Sequence, residues 1–128
     1  MTTACLALAA AGTGVAAAPA NAASSPADAI CGPGYYNVGN TPVAGAVVAV
    51  EYNGYTNCVV TLKTTNVGTP THVWAYINLN GLEDQNRDDS TYSYYAGPRY
   101  VDAPSGQCIY WGGGTDDGWA YEGPGHCG

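Results

Sequence analysis

Residues 46–52 (AVVAVEY) form a nearly unbroken, valine-rich apolar run that stops at Asn53-Gly54, a dipeptide suited to the positive φ angles of a tight hairpin turn. Beyond it, residues 57–65 (NCVVTLKTT) alternate, with Cys58, Val60 and Leu62 on one face and Val59, Thr61 and Lys63 on the other. The two runs read as an antiparallel hairpin. Residues 71–79 (THVWAYINL) put Val73, Ala75, Ile77 and Leu79 on one side and His72, Trp74, Tyr76 and Asn78 on the other. If the aliphatic side is core, Trp74 and Tyr76 point outward. Shorter β-like runs follow at 91–95, 100–103, 107–112 and 119–121, each set off by Gly or Pro. Gly and Pro are spread too evenly downstream of residue 24 to leave an amphipathic helical window. Seven or so short strands at this spacing predict an all-β fold, a small antiparallel sandwich or barrel.

The first residues follow a different pattern. Residues 6–18 (LALAAAGTGVAAA) are apolar and end near Pro19-Ala20-Asn21-Ala22, an A-x-A arrangement. An apolar core this short followed by small residues reads as a secretory signal peptide over residues 1–23, too short to span a bilayer as an anchor. The expected positive charge ahead of it is missing, so the true start is expected upstream. Residues 24–30, small and polar, are expected to form a flexible mature N-terminus, and 31–128 a single disulfide-stapled domain.

Export changes the reading of the cysteines. Cys5 leaves with the signal segment, and Cys31, Cys58, Cys108 and Cys127 remain, an even number for an oxidising compartment. Four cysteines allow three pairings. The favoured one is 31 with 58 and 108 with 127, because each bond then closes a sequence-local unit. No C-x-x-C or H-x-x-x-H spacing offers a zinc site.

Charge narrows the partners. The formal net charge is −7, with ten acids against Lys63, Arg87 and Arg99. Nucleic acid and anionic membranes, which are held chiefly by Lys and Arg, are expected to be poor partners. No cofactor is expected and the oligomeric state stays open. The chain has eleven tyrosines and no phenylalanine, so many tyrosines are expected to be packed with only their hydroxyls reaching water.

Three groups of residues carry candidate chemistry. The aromatic set Trp74, Tyr76, Tyr92, Tyr94, Tyr110, Trp111, Trp119 and Tyr121 includes pairs at period two, of which Trp74/Tyr76 and Trp119/Tyr121 are the candidate faces for stacking on sugar rings. The competing expectation is that these rings replace phenylalanine in the core or form cross-strand pairs. In the acidic run 83–90, Asp84, Asn86 and Asp88 stand two apart, as alternate oxygen ligands do in the first half of a calcium loop. The second half fails, since Asp89 stands where Gly is required and Tyr95 where a bidentate Glu is required, so a solvated acidic turn is the preferred reading. Nucleophilic catalysis would draw on His72 or His126 as base, with Ser105 the one serine in a tight Gly-containing turn near the aromatic end, but Ser105 lacks the G-x-S-x-G elbow. His72 is therefore expected to be a strand surface residue and His126 an exposed terminal one. The turn at 104–107, just before Cys108, is the only stretch suggesting an inhibitory loop for a secreted protease.

The segments CGPGYY (31–36), NCVVTL (57–62), YYAGP (94–98), APSGQCIYWGG (103–113) and the terminal GHCG together resemble the spore-associated protein A family, small secreted proteins of filamentous, spore-forming actinomycetes. The resemblance runs over 31–128 and is specific in its order, its four cysteines and its Trp-Gly-Gly block; the acidic run 83–89 departs from it. It implies an exported, non-enzymatic protein of aerial hyphae or spore surfaces, with Cys31, Cys58, Cys108 and Cys127 as the family cysteines. The sequence reading is thus a secreted, acidic, structural protein of the spore or cell surface, held by wall glycan or surface proteins. The alternative is a small carbohydrate-binding module that recognises wall glycan through its exposed aromatics.

Overall fold

The computed structural model describes residues 25–127, so the expected signal peptide lies outside the described residues. One short helix, α1 (Pro26–Cys31), is followed by eight strands: β1 (Tyr36–Val43), β2 (Ala46–Tyr52), β3 (Thr56–Lys63), β4 (Thr71–Asn78), β5 (Arg87–Tyr92), β6 (Tyr95–Asp102), β7 (Ile109–Thr115) and β8 (Trp119–Gly125). They build two four-stranded antiparallel sheets, one in the order β1-β2-β3-β6 and the other β8-β7-β4-β5. The predicted all-β sandwich is observed. Its disulfides join Cys31 to Cys58 and Cys108 to Cys127.

The main core lies between the sheets and is built from Val48, Val50, Val59, Val73, Ala75, Ile77, Ala96, Ile109 and Trp111. Alternation places Val73, Ala75 and Ile77 inward, as the pattern of β4 predicts. Strand β3 departs from a simple in/out reading because both of its faces are covered. Val59 and Thr61 face the other sheet, whereas Cys58 and Val60 pack with Ala27, Cys31 and Ala49 in a second core beneath α1. Lys63 lies at the end of the inner row and donates to the carbonyls of Thr69 and Tyr92 at 2.6 and 2.9 Å.

The helix corrects one expectation, a loose segment over 24–30. Ser25 caps it, accepting from the Asp28 N–H while Asp28 Oδ2 accepts from the Ser25 N–H, and Pro26 supplies the preset φ of the first turn. Six residues show no amphipathic period, but Ser-Pro-Ala-Asp is a capping-box signature that sequence reading missed. The tyrosines also differ from expectation. Only Tyr76 is fully buried and six are exposed, because valine and alanine fill the thin core.

Gly112, Gly113 and Gly114 form the centre of β7 between β4 and β8. A Cβ on Gly113 would stand 2.0 Å from Thr61 Oγ1 and 2.7 Å from the Trp74 carbonyl, so the sheets meet at a distance only glycine permits. Gly113→Ala is expected to lower the unfolding free energy by about 2 kcal/mol through this overpacking, read as a reduced urea midpoint. An unchanged midpoint would show that the sheets can part at no cost.

Candidate functional site: the outer aromatic face

The outer face of the second sheet gathers the four aromatic candidates. Strand register sets Trp119 beside Gly114 and Gly114 beside Trp74, with Tyr121, Gly112 and Tyr76 forming the next row. The two glycines have no side chains on this face, so rings from β4 and β8 meet across β7. A Cβ on Gly112 would lie 2.6 Å from the Tyr76 ring, and one on Gly114 would lie 2.4 Å from Trp119 Cβ. Trp74 and Tyr76 stack with centroids 6.3 Å apart and 16° between their planes. Tyr121 covers both, at 5.5 Å from Trp74 and 6.2 Å from Tyr76.

The four rings divide into a base and a rim. Trp74 and Tyr76 are only 4% and 2% exposed, whereas Trp119 and Tyr121 are 56% and 48% exposed. The expectation that Trp74 and Tyr76 stand open to solvent is corrected, since Tyr121 and Arg87 lie over them. Burial first, then the negative charge of Glu83, raises the Tyr76 phenol to about 12 and keeps it neutral. The outer face therefore exposes Trp119 and Tyr121 on a base of Trp74 and Tyr76.

Charged groups border the rings on the side of β5. The Arg87 guanidinium sits 4.1 Å above the Trp74 ring and donates through Nε and Nη2 to Asp89 Oδ2 at 2.9 and 2.8 Å. His72 Nε2 and Nδ1 each lie 2.6 Å from a carboxylate oxygen, of Asp89 and Asp116 respectively. Two acceptors on one ring require both nitrogens to donate, and the bonds to Asp116 and then Asp89 raise the His72 pKa accordingly. His72 is a surface strand residue, as expected, and it pins edge strand β5 to the turn before β8.

The remaining candidates occupy separate places. Asp84, Asn86 and Asp88 do not converge. Asn86 Nδ2 donates to the carbonyls of Ile77 and Tyr100, both at 2.7 Å, tying one sheet to the other. Asp88 accepts from the Tyr92 hydroxyl at 2.6 Å and the Gly97 N–H at 2.7 Å, while Asp84 is exposed. Half of the predicted acidic loop is thus edge strand β5, whose charges discourage pairing with another chain. Among the described residues, no three His, Cys, Asp or Glu side chains gather to hold a metal ion. Tyr92 and Trp111 pack with the core, Tyr94 is exposed, and Tyr110 lies over Gly81. Ser105 sits in a turn tied to the C-terminus by a bond from the Gly106 N–H to the Cys127 carbonyl. His126 is half-buried rather than exposed, with its ring 4.8 Å from Trp111, and burial lowers its pKa.

Comparison with known proteins supplies a relative. The chain is 42% identical over 98 residues to spore-associated protein A of Streptomyces coelicolor, a match covering 72% of this chain and 62% of that protein. The chain thus spans less than two thirds of the length of the curated relative it matches. No protein-family model and no solved structure matches it.

Proposed function

Because the chain belongs to the spore-associated protein A family, we propose that it is an exported, non-enzymatic structural protein of the spore or cell surface. The two disulfides support this reading, since such bonds persist in oxidising surroundings and stabilise small domains outside the cell. Among the described residues, no helix is long and apolar enough to cross a membrane. An epitope-tagged full-length chain is expected in the spore-wall and surface fractions of a sporulating culture. Recovery only in the cytoplasmic fraction, with the cysteines reduced, would overturn the proposal.

The aromatic face favours a second reading, in which the protein holds on by binding wall glycan. Trp119 and Tyr121 are half-exposed and lie on one face of β8, and the polar groups of Arg87, Asp89 and His72 border the same sheet face on the far side of Trp74 and Tyr76. Apolar C–H faces of sugar rings stack on such aromatics, and the polar border supplies hydrogen bonds to hydroxyls. The double variant Trp119→Ala, Tyr121→Ala is expected to keep its fold and lose at least tenfold in affinity, corresponding to about 1.4 kcal/mol, for the insoluble glycan that the parent binds. Co-sedimentation with peptidoglycan, chitin, cellulose and spore walls reads this. Equal retention of parent and variant by all four polymers would remove the glycan reading and leave the structural one.

A further inference from the structure

A cleft at one end of the sandwich has a different chemistry from the aromatic face. Strand register aligns Tyr36, Tyr52 and Asn57 in one row across β1, β2 and β3. Tyr52 and Asn57 follow the inward parity of Val50 and Val59, but at this end the row is met by His126 and Cys127 of the C-terminal tail. Tyr36, Val38, Tyr52, Asn57, His126 and Cys127 line an open cleft of about 310 Å³. That is enough for a small ring compound.

Asn57 marks this cavity as more than a packing gap. It is 1% exposed, and its Nδ2 turns to the Glu51 carbonyl at 3.5 Å. Its Oδ1 is buried and accepts no hydrogen bond from the described residues. A buried amide oxygen left unpaired destabilises the fold, and a ligand donor is one way to recover that loss. The other walls are apolar or neutral. Burial holds the His126 imidazole toward its neutral form, the Tyr52 hydroxyl is engaged with the Ala103 carbonyl at 3.3 Å, and Cys127 is closed in its disulfide. Asn57 Oδ1 lies beneath the surface of the cleft, so binding requires Tyr36, which is 46% exposed and packs edge-on against Tyr52, to move aside and admit a ligand donor.

We propose that this inter-sheet cleft binds a small uncharged ring compound carrying a single N–H or O–H donor, which pairs with Asn57 Oδ1 while its apolar body rests on Tyr36, Tyr52 and Val38. A lining without a charged side chain and a chain of net charge −7 both disfavour anions. The site is separate from the Trp119/Tyr121 face, so it stands or falls independently of glycan binding.

Indole and 1-methylindole test the proposal, because they share shape and hydrophobicity while only indole has a donor. Titrated into the oxidised protein and followed by the ring resonances of Tyr36, Tyr52 and His126, indole is expected to saturate and to bind at least tenfold more tightly than 1-methylindole. Asn57→Val removes the acceptor and is expected to bring the two affinities together, with a melting temperature no lower than the parent's because an unpaired buried carbonyl is gone. Tyr36→Ala, at a half-exposed position, is expected to weaken both. Absence of saturation up to about 5 mM, or equal affinities of the parent for the two probes, would overturn the proposal. The parent comparison decides even if the Asn57 variant does not fold.

Discussion

Replacing Cys31 and Cys58 together by alanine is expected to cost the fold about 3.5 kcal/mol, the largest single loss of stability among the changes considered. The bond closes a loop with a sequence separation of 27, and the chain-entropy relation gives roughly that figure for its release in the unfolded state. The native state suffers as well, because both sulfurs belong to the second core with Ala27, Ala49 and Val60. Helix α1 has few other attachments. The Tyr100 hydroxyl donates to the Cys31 carbonyl at 2.7 Å, and Ala27 is its one fully buried side chain beside Cys31. Urea denaturation of the double variant checks the expected loss, and proteolysis is expected to cut near α1 first. A loss below about 1 kcal/mol would mean that α1 docks through packing alone. The Cys108–Cys127 bond, with a separation of 19 and an exposed Cys127, is expected to contribute less.

Stability is also expected to fall as pH rises through neutrality. The Glu51 side chain is fully buried beneath α1. Its Oε2 accepts from Asn37 Nδ2 at 2.7 Å, its Oε1 receives no donor, and its carboxyl is within hydrogen-bonding reach of Asp28. The groups that face it are Asp28 from α1, Asn37 from β1 and, through register, Cys58 from β3, none of them positively charged. Two carboxyls so close share a proton. Burial first, and then the Asp28 carboxylate, raises Glu51 from an ordinary 4.5 to about 7. Burial alone would raise Asp28 too, but its hydrogen bonds with Glu51 and Ser25 outweigh this and hold it below its ordinary value.

The sign follows from which state binds more protons. Between about 4.5 and about 7 the folded state holds the Glu51 proton and the unfolded state releases it. Glu51 therefore opposes folding increasingly across that window, by up to about 3 kcal/mol above it. Asp28 acts in the reverse sense and lower, stabilising the fold above its ordinary pKa of 3.8 and losing that contribution as pH falls through its depressed value. Urea midpoints measured from pH 4 to 8 are expected to decline toward the alkaline end. Glu51→Gln keeps the shape and supplies a permanent donor to Asp28, so its midpoint is expected to decline less than the parent's across this range, with the raised pKa of His72 still contributing, and to lie above the parent's at pH 8. Parallel declines in parent and variant would assign the slope to other groups.

Much of the fold is legible before any coordinates. The hairpin of β2 and β3 is written in valine runs around Asn53-Gly54, and the inward face of β4 in Val73, Ala75 and Ile77. The even cysteine count is also plain, and the favoured pairing agrees with the structure. Strand β1 was missed because residues 36–43 (YNVGNTPV) interrupt their apolar positions with Gly, Asn and Pro. Such a strand is admitted only at an edge, where β2 supplies its partner.

The sites were less legible, for reasons of distance along the chain. Local alternation pairs Trp74 with Tyr76 and Trp119 with Tyr121, because period two is a property of a single strand. Nothing local says that β7 carries glycines between those strands and so merges two pairs into one face, with one pair as base and the other as rim. Asn57 and Glu51 looked like ordinary polar positions in β-runs. Their burial depends on what covers each side of the sheet, the C-terminal tail for one and α1 for the other. The sequence by itself determined the class, the strand periodicity and the redox chemistry, because these follow from composition and from neighbours within a few residues. Which rings stay wet, which carboxyl keeps its proton and where a cavity opens were decided only by tertiary structure, because burial is a relation between segments far apart in the chain.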